Sequence, residues 1–197
     1  MKNIYRNFIL GMLLFFVASS AMAHGGTFTT AGFLSGLWHP FSGLDHLLVM
    51  LGIGLWAASM QNQRPHYPYF MLPVAFLGLM LIGAILAFNQ LILPALEMAI
   101  AMSVMLIGLL LLTQITLPIS VAILLSSGFA LFHGNAHGLE ITLGSSALSY
   151  MIGFICSTAL LHFSGYSLGQ SSMAKNGFKQ FFGLISCLLG SSLMMFN

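Results

Sequence analysis

The stretch Trp38-His39-Pro40-Phe41-Ser42-Gly43-Leu44-Asp45-His46, running on without a break into LLVMLGIGLW (47–56), sets an acid and two histidines at the head of an apolar segment. A carboxylate at the centre of a membrane helix costs roughly 2.5–3.5 kcal/mol on insertion scales. The chain has 197 residues and only three acids. Each adjoins an apolar run: Asp45 here, Glu97 at the start of LEMAIAMSVMLIGLLLL (96–112), and Glu140 at the end of FHGNAHGLE (132–140). Acids spent this way, two of them beside histidines, point to a cation handled within a bilayer.

Composition supports the setting. Hydrophobic residues make up 58% of the chain and charged residues 4%, which excludes a soluble globular domain. A net charge of +2 gives no footing for a nucleic-acid partner. The two cysteines, Cys156 and Cys187, fall in separate apolar runs without metal-ligand spacing and read as small packing residues.

The N-terminus reads as a secretory signal peptide, residues 1–23. Lys2 and Arg6 form its basic region, Phe8–Val17 its apolar region and Ala21-Met22-Ala23 its cleavage site. The apolar region falls short of the ~20 residues that a span needs. The mature chain, 24–197, then begins at His24.

Six apolar segments follow: Ala31–Ala58, Tyr69–Phe88, Pro94–Leu112, Leu117–Phe132, Ile141–Phe163 and Gly177–Phe196. They predict an all-α integral membrane protein with six transmembrane helices after a cleaved signal peptide. The fourth is short, and Gly134 and Gly138 just beyond it predict a turn or broken helix. The linkers are Ser59–Pro68, Asn89–Leu93, Thr113–Thr116 and the polar Ser164–Asn176. If His24 starts outside, Arg64 and Lys175 fall in cytoplasmic loops and Lys179 at the adjoining start of span six. The outer loops then hold no Lys or Arg, as the positive-inside bias requires. The expected location is a bacterial inner membrane, with the lipid bilayer as partner and the mature N-terminus periplasmic. Gly32, Gly36, Gly52, Gly54, Gly183 and Gly190 would let helices approach closely, as in any packed bundle.

Two constellations carry chemistry. In the first, His39 and His46 stand seven positions apart, ~10.5 Å along a straight helix, too far for two ligands of one ion. Either the chain bends at Pro40 and Gly43, or these are successive stations on a path. In the second, His133, His137 and Glu140 share one face if the segment is helical. The i, i+4 histidine pair resembles metal sites but lacks the glutamate of HExxH. Imidazole with carboxylate suits nickel, cobalt, zinc or iron better than potassium or magnesium. Against these stand plainer readings: histidines bonded across a helix interface, and a polar outer turn touching water.

Weaker signals surround them. Glu97 is a further ligand, a hydrogen-bonding partner of a ligand histidine, or an interfacial carboxylate. His24, after cleavage, is a chelating terminus or an exposed end. His162 is an exit station or an interfacial residue, and His66 is solvated. Met98, Met102 and Met105 share a face of span three, as packing or as a soft-metal path. Phosphate-binding, dinucleotide, CxxCH and G-x-S-x-G motifs are absent from the sequence, and no catalytic residue is assigned.

HPFSGLDH followed by GLWAA, LEMAIAMSV, and FHGNAHGLE together resemble the HupE/UreJ family of bacterial membrane proteins, over essentially the whole mature chain. The motifs are H-x5-D-H and F-H-G-x-A-H-G-x-E. The resemblance implies a nickel permease, with cobalt the second choice, linked to hydrogenase or urease maturation. It places the metal ligands at His39, Asp45 and His46 and at His133, His137 and Glu140, with Asn135 in a position that the motif leaves open. No prosthetic group is implied; Ni2+ or Co2+ is the cargo. On this reading the second constellation captures the ion outside and passes it to the first. The rivals are an intramembrane metal-dependent hydrolase and a metal-sensing or accessory subunit.

The topology is directly testable. Reporter fusions after Gln63 and Asn176 should behave as cytoplasmic and one at Asn197 as periplasmic. A cytoplasmic C-terminus would mean a miscounted span.

Overall fold

The computed structural model describes residues 28–140, 147–171 and 177–196. The signal peptide, its cleavage site, His24 and Lys175 lie outside them. The described residues form seven helices: α1 (Phe28–Ser42), α2 (Leu44–Gln63), α3 (Met71–Phe88), α4 (Leu96–Thr113), α5 (Ile119–Leu139), α6 (Ala147–Gln170) and α7 (Phe178–Phe196). Those from α2 to α7 are long and apolar enough to cross a membrane, which makes this a multi-pass membrane protein. Helices satisfy their own backbone groups, so such sequences have no cheaper way to cross hydrocarbon.

Three sequence expectations need correction. The first apolar segment, Ala31–Ala58, is not one helix: Gly43 is extended, at φ −110° and ψ 126°, and separates α1 from α2. Pro40 is accommodated inside α1, where it supplies no N–H to the last turn. Ser42 Oγ donates to the His39 carbonyl at 2.6 Å, and Leu47 N–H takes up the Gly43 carbonyl at 3.0 Å as α2 begins. The bend therefore falls at Gly43 rather than at the proline.

The second correction concerns the glycines beyond Phe132. They break nothing, because α5 continues to Leu139. They are the surface against which α3 packs. A Cβ on Gly134 would strike the Met80 carbonyl, one on Gly83 the Leu131 carbonyl, and one on Gly138 would crowd Ala84 and Ala87. Small residues let two membrane helices meet backbone to backbone.

Third, part of the expected Ser164–Asn176 linker is helix, since α6 runs to Gln170. Gly165 and Gly169 seat that last stretch on Leu51 and Ala58 of α2.

The same device joins the other pairs. Gly108 of α4 meets Gly183 of α7, and Gly36 of α1 meets Tyr150 of α6. The bundle is thus three tight associations, α3 with α5, α4 with α7, and α6 with both α1 and α2. Asn135 pins the loop between α3 and α4: its Oδ1 accepts from Leu93 N–H at 2.9 Å, and its Nδ2 donates to the Gly83 and Leu91 carbonyls. Lys179 reaches from α7 to Ser59 Oγ near the far end of α2.

Gly134→Ala should destabilise the protein by about 1–3 kcal/mol through overpacking at the α3 seam. Gly128→Ala on the same helix, with nothing near its Cβ, should not. Thermal unfolding in detergent distinguishes them, and equal melting of both variants would contradict the seam.

Candidate metal centre

The break at Gly43 turns the α1 and α2 histidines toward each other, with ring centroids 6.3 Å apart. His137 of α5 comes between them, and His133 flanks His46. His137 lies 4.3 Å from the His46 ring and 4.7 Å from the His39 ring, and His133 lies 5.0 Å from His46. The two sequence constellations are therefore one cluster rather than two separate stations. It divides differently from the motifs. One ligand atom each from His46, His133 and His137 falls within 4.8 Å of the others, and the same holds for His39, His137 and Glu140. His137 belongs to both groups.

The groups differ in depth. Glu140 is 51% exposed and His39 24%, while His133 and His137 are fully buried. Glu140 Oε2 takes His39 Nε2 at 2.8 Å and His137 Nδ1 at 3.1 Å, tying the end of α5 to α1. Partial burial alone would raise the Glu140 carboxyl, but the hydrogen bonds from His137 and His39 outweigh it and hold it well below the usual glutamate range.

The hydrogen bonds also fix where each ring keeps its proton. His46 Nδ1 faces Asp45 Oδ1 at 2.9 Å and His137 Nδ1 faces Glu140, so both nitrogens donate. Ser103 Oγ gives its single proton to the Ile100 carbonyl at 2.6 Å and must therefore accept from His133 Nε2 at 2.9 Å. Each neutral ring is left with one lone pair: Nε2 of His46, Nδ1 of His133 and Nε2 of His137. All three atoms are buried, and none has a hydrogen-bond partner among the described residues. An unsatisfied buried polar atom is costly and rare, so three on adjoining rings call for an electrophile. A borderline divalent cation matches both their number and their type.

Of the residues singled out in the sequence, His39, His46, His133, His137 and Glu140 meet here. Asp45 stands outside both groups of ligand atoms and orients His46. Glu97 is exposed in the first turn of α4, lining a cavity with Leu93 and Ala95, and is likewise outside both groups. His66 is exposed, and Met102 faces outward at 46% exposure. Sequence reasoning missed Ser103, although it is the lone hydroxyl in the apolar run after Glu97. It also missed Phe154, whose ring packs 4.1 Å from His137.

Comparison with known proteins identifies the family. The family described as HupE / UreJ protein matches residues 12–193. Protein HupE of Rhizobium leguminosarum bv. viciae is 38% identical over 159 residues, covering 81% of each chain. No solved structure matches.

A Cβ at Gly43 would lie 2.6 Å from Asp45 Oδ1 and 3.0 Å from His46 Nδ1, both ends of side chains that can swing away. Gly43→Ala should therefore leave the helices intact while separating that pair. Co2+ affinity of the purified protein should fall about 10–100-fold, the usual result of losing a ligand's orienting partner. Unchanged affinity would mean that the Asp45–His46 bond does not shape the centre.

Proposed function

The chain belongs to the HupE / UreJ family, and from that membership together with the histidine cluster we propose that it imports a divalent transition metal, nickel first and cobalt second, from periplasm to cytoplasm. The observation that carries the proposal is the set of three imidazole nitrogens left bare on adjoining rings in an apolar bundle, each of those residues offering a ligand atom within 4.8 Å of the others. Neutral imidazoles select borderline metals, while Asp45 and Glu140, each one hydrogen bond behind a ligand ring, offset the double positive charge.

The two groups suit a handover. Glu140 and His39 at the exposed end receive the ion, and His137, shared by both groups, passes it to His46 and His133. The membrane potential suffices to drive accumulation: two charges gain ~4.6 kcal/mol per 100 mV, about a thousandfold. A transporter and accessory family, rather than an enzyme family, favours carriage over catalysis, and the family's hydrogenase and urease associations name the consumers.

The test is uptake of radioactive nickel and cobalt by proteoliposomes holding only this protein under an inside-negative potential. Alanine at His39, His46, His133, His137 or Glu140 should depress uptake strongly, and Cys156→Ser should be nearly silent. Asp45→Asn should lose most transport, because it keeps the shape and removes the charge, and Asp45→Glu should retain a measurable fraction. Full activity in both His46→Ala and His137→Ala would contradict the proposal.

A further inference from the structure

α6 carries a histidine that neither motif contains. His162 is 2% exposed, and its Nδ1 donates to the Met50 carbonyl of α2 at 2.7 Å. A carbonyl only accepts, so Nδ1 holds the ring's proton and Nε2 keeps a lone pair. That Nε2 is buried and has no hydrogen-bond partner among the described residues, the same condition as the three cluster nitrogens.

Its place in the fold is equally specific. Met50 lies one turn beyond His46 toward the Gln63 end of α2, about 6 Å along the helix axis. The buried Phe76 ring stands beside both sites, with its centroid 5.9 Å from His133 and 5.0 Å from His162. On α6 itself, Phe154 touches His137, Thr158 follows one turn on, and His162 one turn after that. Thr158 Oγ1 is also buried without a partner among the described residues. One face of α6 thus leads from the cluster past a free hydroxyl to a free imidazole nitrogen. Packing accounts for the bond to Met50 but not for a second, unsatisfied nitrogen kept inside an apolar helix.

We propose that His162 Nε2, assisted by Thr158 Oγ1, is a further station for the divalent cation, beyond the Phe76 ring on the inward side of the cluster. This rests on the import reading above and extends it by the step that follows release from His133 and His46. One imidazole and one hydroxyl hold a cation more weakly than three imidazoles backed by two carboxylates, and weak holding is what an outgoing ion needs.

His162→Asn is the decisive variant, since the asparagine amide can donate to the Met50 carbonyl in place of Nδ1 while Nε2 is lost. Three quantities are read on purified protein: thermal melting, equilibrium Co2+ affinity by absorption, and initial nickel uptake into proteoliposomes. Melting and affinity should match the wild type, and uptake should fall at least about tenfold. Thr158→Val, which removes the hydroxyl at constant volume, should show the same split to a smaller degree and decides the matter if the asparagine variant fails to insert. Wild-type uptake in the deciding variant, or affinity and melting that fall in step with uptake, would overturn the second station. A wild-type protein that binds Co2+ but takes up no nickel would instead overturn the import reading, and this station with it.

Discussion

Each imidazole in the cluster can present a lone pair because its other nitrogen is already committed. Asp45 holds His46, Ser103 holds His133, and Glu140 holds His137. Without those bonds the rings could rotate or exchange tautomers, and an apolar bundle would offer no reason for three acceptors to sit on adjoining rings. The carboxylates do a second job. Two negative charges one bond behind neutral imidazoles would leave a dication bound there close to charge balance, the condition for lodging it where water is scarce.

Everything else in the fold brings those partners together. The extended backbone at Gly43 lets one apolar segment supply histidines from two helices. The glycine seams set α5 against α3 and α6 against α1 and α2 closely enough for rings from three helices to meet. Asn135, in the middle of FHGNAHGLE, spends its whole amide on α3 and the loop that follows it, so the motif position between the two α5 histidines is an anchor. Specificity in the site therefore depends on contacts made by residues with no metal chemistry of their own.

Much of this is legible in the sequence. The apolar runs give the spans, because hydrocarbon admits few alternatives to a helix of about 20 residues. The scarcity of acids picks out Asp45 and Glu140, because their cost in a bilayer demands a reason. The glycines of FHGNAHGLE mislead, since a glycine for chain reversal and a glycine for close packing look alike until the neighbouring helix is placed. Ser103 escapes notice because a serine in a membrane helix ordinarily bonds its own backbone, and only the approach of His133 gives it another role. The regrouping of ligands around His137 is a tertiary fact: it depends on α5 bringing that ring beside His39 of α1 and His46 of α2, which no local pattern encodes.

The central claim is that His46, His133 and His137 hold one cation together. X-ray absorption at the nickel edge, on purified protein loaded with one equivalent of Ni2+, reads that shell directly. The account predicts the multiple-scattering signature of three imidazoles, with nitrogen at about 2.1 Å. A shell of oxygen or sulfur atoms without imidazole scattering would contradict it.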